Sequence, residues 1–360
     1  MTAVGPRNPL WSLLLPPAGV VLLALTWGGH LPGWANGVVV LGLIGTVMVA
    51  VHHAEMVAAK VGEPFGTLVL AVSVTVIEVA LILTIMIGGS SEATTLARDT
   101  VFAAVMIIYN GVLGVCLLVG TLMHRVQSFH PRGAAGALGA VTVLITLTLV
   151  LPSYTTTGEG RTFSTAQLLF MSVLALGLYA TFVFFQAIRH RHYFLPEDQD
   201  GDGQVDKPTA TTTWWSFVML LTCLVAVVGL AKVLSPALKD GVESVGAPVS
   251  SVGVLIALLV LAPETMAAIR AAAANRLQTS MNLAFGSGMA SIGLTIPVIA
   301  VASLMLDITL ELGLGQAEIT LLALTVVTSI ITLQHGRVTV MQGAIHLTTF
   351  FAFLFLAVVP

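Results

Sequence analysis

Charge is what this sequence has least of. Only 9% of its 360 residues are Asp, Glu, Lys or Arg, while 57% are hydrophobic. Soluble domains carry about 25% charged residues, so a water-soluble globule is excluded, and most soluble enzyme classes go with it. The 14 Lys and Arg against 17 Asp and Glu leave a net charge of −3, and no basic block is long enough to serve a nucleic-acid partner. Cysteine is nearly absent. Cys116 and Cys223 both lie inside apolar runs, so small core packing is expected of them rather than a disulfide framework. No H-E-x-x-H is present, HHAE has the wrong order for a helical zinc pair, and the G-S-G at 286–288 is not a G-x-S-x-G elbow, which argues against intramembrane catalysis.

What is there is hydrocarbon, with a mean hydropathy of +1.00. A membrane-spanning helix needs about 20 apolar residues. Candidate spans run over 11–28, 37–59, 66–88, 101–123, 136–152, 167–188, 215–234, 248–269, 279–305, 317–334 and 339–359. They are continuously apolar and rich in Leu, Ala and Val, without the alternation of barrel strands, so the expected fold is an all-α polytopic membrane protein of about 11 transmembrane helices. The lipid bilayer is its first partner. If the first run starts in the cytoplasm, Arg7, Lys60, Arg125, Arg132, Arg189, Arg191, Lys207, Arg270, Arg276 and Arg337 share that side, and Arg98, Arg161, Lys232 and Lys239 the other. That bias places the N-terminus inside and the C-terminus outside, in a cell or inner membrane.

The first run, within 1–33, reads as a signal-anchor helix, because no small-x-small cleavage site follows it. The remaining ten spans divide at the acidic linker 190–213 into sets of five, 34–189 and 214–360. An odd number of spans per set makes the second set cross in the opposite sense. Each has one central glutamate in its second helix, Glu78 and Glu264, the mark of an inverted repeat.

A carboxylate at the bilayer centre costs about 2.5–3.5 kcal/mol on insertion scales, so each one needs a reason. Glu55, Glu78 and Glu264 qualify, flanked by apolar residues as in VTVIEVALI and VLAPETMAA. The spans hold no deep Lys or Arg to neutralise them, and the missing partner is a cation from outside the chain. The same oxygens then hold either protons or the metal, and that competition, coupled to alternating exposure, suffices for exchange. Calcium takes six to eight oxygens, which two glutamates supply only in part. Pro263 lacks an N–H and so leaves the Leu259 carbonyl without its helical donor one turn before Glu264, as either an oxygen ligand or a simple kink. Thr75 precedes Glu78 by three residues, on the same helical face, and His52 stands in the same relation to Glu55, whereas His53 points elsewhere. His52 reads equally as a proton relay or as packing. Asn110, Ser287 and Ser291 lie in the glycine-rich runs YNGVLG and GSGMASIG, as polar lining or as close helix packing.

In the linker, DQDGDGQVD sets Asp198, Asp200, Asp202, Gly203 and Asp206 at the first, third, fifth, sixth and ninth positions of a calcium-loop pattern. Thr209 replaces the bidentate glutamate at the twelfth and Pro208 precedes it, so the stretch is either a weak regulatory calcium site or a solvated acidic linker.

The stretch HHAEMVAAKVGEPFGTLVLAVSVTVIEVALI (52–82), together with ALLVLAPETMAAIRAAAANRLQTSMNLAFGSGMASIGLTIP (257–297), resembles the calcium/proton exchanger family of the calcium/cation antiporter superfamily, most closely its bacterial ChaA-like branch. The resemblance implies a secondary antiporter that is not an enzyme and has no cofactor, carrying Ca2+ in exchange for H+. It also implies that Glu78 and Glu264 bind the cation, that Glu55 and His52 lie on the ion or proton path, and that Asn110 and Ser287 line it. The family's Gly-Asn-Ala-x-Glu signature is altered, with Thr75 and Leu261 where asparagines are expected. The missing amide oxygens point to relaxed selectivity, matching a branch associated with Na+ and K+ as well as Ca2+. A cation channel using the same carboxylates is the remaining alternative. Monomer and homo-oligomer are both open.

Overall fold

The computed structural model describes residues 8–28, 32–62, 65–87, 94–158, 160–190, 193–194, 208–244, 246–334 and 336–359. Helices dominate because a chain in hydrocarbon has to satisfy every backbone N–H and C=O within its own segment. Ten of the described helical stretches are long and apolar enough to cross a membrane, and the first helix, Leu10–Thr26, is shorter at 17 residues. These bear out the all-α polytopic reading, with boundaries shifted by a few residues.

The chain forms two compact units, residues 1–93 with 201–245, and residues 94–200 with 246–360. The first contains α1 (Leu10–Thr26), α2 (Gly33–Val61), α3 (Phe65–Ile87) and α8 (Ala210–Ser244). Helix α2 packs against the other three. Its buried face carries Val39, Leu43, Val47, Ala50 and Ala54, spaced three or four apart as one side of a helix demands. Apolar residues gain little from leaving lipid, so van der Waals fit between small residues carries the association. A Cβ on Gly19 of α1 would stand 2.8 Å from the Thr46 hydroxyl oxygen, and one on Gly229 of α8 2.3 Å from the Leu23 side chain. Thr46 satisfies its own buried hydroxyl by donating to the Gly42 carbonyl at 2.7 Å. Helix α8 is longer than its apolar run suggested, starting at 210 and ending at 244. At about 1.5 Å per residue its 35 residues exceed the bilayer's hydrocarbon thickness of about 30 Å.

The second unit is built around one long span in two helical halves, α4 (Leu96–Met106) and α5 (Leu113–His124), joined without a break by a π-helical turn over Ile107–Val112. In that turn the Leu113 N–H reaches back to the Ile108 carbonyl, five residues away, so one extra residue is accommodated. Around this span pack α9 (Ser251–Ala273), α10 (Leu277–Leu306) and α12 (Val340–Val358), with α6 (Pro131–Ile145), α7 (Thr165–Phe184) and α11 (Gln316–Leu333) completing the unit. Glycines again set the closest approaches. A Cβ on Gly343 of α12 would lie 2.7 Å from the Leu118 backbone nitrogen of α5, and one on Gly253 of α9 2.9 Å from the backbone nitrogen of Thr100.

Loops knit the unit at both ends. Residues Gln127–Ser128 (β1) pair antiparallel with Arg337–Val338 (β2). The last carbonyls of α9 are capped from the end of α5 and the strand that follows, by His124 donating to Ala273 at 2.8 Å and the Gln127 amide donating to Ala272 at 2.9 Å. At the opposite end of the unit Arg98 donates to Asp99 at 2.8 Å, to Glu311 at 3.1 Å and to the Gly313 carbonyl at 3.3 Å. Helix α7 starts in a capping box, with the Gln167 side chain accepting from the Ser164 N–H at 3.0 Å and the Ser164 hydroxyl accepting in return.

Candidate functional site

In the first unit, Glu78 lies in mid-span of α3 and is buried, with 3% of its surface exposed. Thr75, one turn earlier, is buried on the same face. Three of the residues singled out from sequence sit close together on α2 and behave differently. Glu55 is exposed, His52 is half-buried, and His53 is fully buried. His53 turns to α1, where its Nε2 hydrogen-bonds the Ser12 carbonyl at 2.8 Å, and the His52 ring lies 5.1 Å from the Trp11 ring. Both histidines thus have α1 as a neighbour, and their rings lie 5.4 Å apart.

In the second unit, Glu264 follows the buried Pro263, and α9 continues as a helix through the proline. Leu261, at the place of the family's second asparagine, is buried, and its carbonyl accepts the Thr265 hydroxyl at 2.7 Å. Ser287 is partly buried and Ser291 buried on α10. That glycine-rich segment also serves close packing. A Cβ on Gly288 would meet the Tyr109 ring at 3.2 Å, and Tyr109 stacks on Phe285 with ring centroids 5.4 Å apart.

Asn110 sits in the π-helical turn and is fully buried. Its amide nitrogen donates to the Thr325 hydroxyl oxygen of α11 at 2.9 Å, and its amide oxygen lies 3.4 Å from Nδ1 of His346 on α12. The other ring nitrogen, Nε2, is 3.0 Å from the Thr332 hydroxyl. Sequence reading missed His346 and this hydroxyl stripe, although Thr325, Ser329 and Thr332 recur at helical spacing and His346 interrupts an apolar run.

The structure thus brings Glu55, His52, Thr75 and Glu78 into one unit and Glu264, Asn110 and Ser287 into the other. Asp198, Asp200, Asp202 and Asp206 lie outside the described residues. Among the described residues no three His, Cys, Asp or Glu side chains cluster as a metal site.

Comparison with known proteins follows this geometry. A Sinorhizobium fredii protein, y4hA, whose name carries a provisional ionic-transporter role, is 44% identical over 357 residues, covering 98% of this chain and 97% of that protein. The sodium-potassium/proton antiporter ChaA of Escherichia coli is 34% identical over 360 residues, covering 98% and 97%. The solved structure of native YfkE shares the fold with a TM-score of 0.74 at 19% identity, over 97% of this chain and all of that one. The sodium/calcium exchanger protein family matches residues 31–188 and 215–359, which together take in nearly every described span. The chain belongs to the sodium/calcium exchanger protein family, a family of multi-pass membrane transporters rather than enzymes.

Proposed function

We propose that this protein is a secondary cation/proton antiporter that exports Ca2+ in exchange for H+ by alternating access across a bacterial inner membrane. The observation that carries this reading is the burial of Glu78 in mid-span within a chain of the exchanger family. A carboxylate in that place is costly when bare, and a proton or a hard cation relieves the cost in turn. In the proposal Glu78 and Glu264 are the alternating ligands, one from each inverted repeat (34–189 and 214–360), with Thr75, Asn110 and Ser287 supplying polar oxygens. Glu55 and His52 border the path. The N-terminus is cytoplasmic, the C-terminus external, and the aspartates of the 190–213 linker form a weak regulatory calcium loop.

A second reading keeps the mechanism and changes the ion. The 34% identical relative is named for sodium and potassium, and Thr75 and Leu261 stand where asparagine oxygens would stiffen a calcium cage. The test is proton flux in reconstituted vesicles containing a pH dye, challenged separately with Ca2+, Na+ and K+. Coupled flux with Ca2+, abolished in Glu78→Gln and in Glu264→Gln, is the expected result, since an amide cannot alternate between protonated and metal-bound states. Comparable flux with Na+ or K+ selects the second reading, and wild-type exchange by both variants removes the two-glutamate site.

A further inference from the structure

The hydrogen bonds around Asn110 have a direction that fixes every proton in them. Thr325 donates its hydroxyl hydrogen to the Leu321 carbonyl at 2.8 Å, so it offers Asn110 only lone pairs, and the amide nitrogen is the end that faces it. The amide oxygen is thereby turned to His346 Nδ1. An oxygen cannot donate, so Nδ1 carries the ring hydrogen. Nε2 is then the lone-pair nitrogen, and Thr332 donates to it. Asn110, Thr325, Thr332 and His346 are all buried, and His346 is fully so.

This chain is not a proton wire, because an amide in its middle holds its N–H hydrogens and passes none on. What it does is join three helical segments, α11, α12 and the turn over Ile107–Val112, through a single amide. The turn holds one residue more than an α-helix would, and such turns are retained where a side chain has to be placed. A buried amide held at both ends is fixed in place; with its oxygen end released, it is held at one end only and that oxygen loses its donor.

We infer that His346 is a positioning residue for the exchange reaction. As the Nδ1–H tautomer that the facing Asn110 oxygen requires, it anchors the oxygen end of the Asn110 amide and pins the π-helical turn to α12, while Thr325 holds the nitrogen end to α11. The inference rests on the reading of the protein as an exchanger with Asn110 on its ion path, and assigns that path a support from α12.

The test compares His346→Gln, which keeps one donor and one acceptor, with His346→Leu, which keeps neither, in the vesicle flux assay. In His346→Leu the half-saturating cation concentration rises roughly fivefold, the scale of one lost buried hydrogen bond, while the maximal rate stays within about twofold. His346→Gln recovers most of that loss, and adding His346→Leu to Asn110→Leu changes nothing further. Nitrogen NMR of the full-length protein, with the signal identified among its nine histidines by its absence in His346→Gln, shows the Nδ1–H tautomer, and Thr332→Val shifts it. Unchanged half-saturation in His346→Leu overturns the inference, as does an Nε2–H tautomer in the wild type. A purely structural role would lower yield and maximal rate in both variants with half-saturation unmoved, and also overturns it. Loss of exchange in Glu78→Gln and Glu264→Gln beside unaltered kinetics in His346→Leu sinks this inference alone. A wild type with no coupled flux sinks the functional reading and this inference with it.

Discussion

Replacing Arg98 with methionine is expected to open the second unit while leaving the first intact. Arg98 and Asp99 are both nearly buried, and the guanidinium touches Asp99 twice, through Nε and Nη2, each at 2.8 Å. At an effective dielectric of about 20, unit charges about 4 Å apart attract by about 4 kcal/mol. Glu311, about a third exposed, adds little after solvent screening. Arg98→Met leaves the Asp99 carboxylate with the Thr95 hydroxyl, at 3.1 Å, as a donor but without its cation, and stranding one half of a buried pair costs about 3–5 kcal/mol. Arg98→Met with Asp99→Leu removes the stranded charge, and its cost falls to about 1 kcal/mol, because a buried pair contributes little beyond its own desolvation. The two cysteines make the assay local. Cys116 is buried in the second unit and Cys223 in the first, whereas the tryptophans, at 11, 27, 34, 214 and 215, all fall in the first. In detergent under native conditions, thiol labelling of Cys116 in Arg98→Met accelerates roughly a hundredfold or more, with Cys223 unchanged and the double variant near wild type. A Cys116 rate within about threefold of wild type, or a double variant as fast as the single, refutes the reasoning.

Two further substitutions probe packing and capping. Gly343→Ala drives a methyl group onto the backbone atoms of Leu118 in α5, which cannot swing aside as a side chain would, and costs about 1–3 kcal/mol, read from the same Cys116 labelling. Ser164→Ala removes one half of the α7 capping box and lowers unfolding stability, followed by far-ultraviolet circular dichroism in mixed micelles, by about 1 kcal/mol.

The glutamates were legible because a charge within an apolar run is anomalous in one dimension. VTVIEVALI announces Glu78 without any structure, and its burial agrees. Glu55, the weaker candidate because it lies nearer a helix end, is exposed on α2, since sequence gives depth along a helix and not the face that a neighbour covers. His346 was missed for the complementary reason. A lone histidine among threonines looks like packing until α11 and the 107–112 turn are brought against it from positions 14 to 236 residues away. Asn110 and Gly111 mark the segment in sequence as polar and small, but neither residue specifies a π-helical turn rather than an α-helix.

By itself the sequence determined that this chain is a helical membrane protein, roughly how many helices are long and apolar enough to span, and which acids stand out within them, because the bilayer imposes one length and one solvent on every span. Tertiary structure decided the rest: that α2, α3 and α8 join α1 in one unit while Glu264 and Asn110 belong to another, that Arg98 is locked by Asp99, and that His346 holds Asn110. Those choices depend on which small residues let two backbones approach and which polar groups meet where they do, and neither is encoded in the order of residues along a single helix.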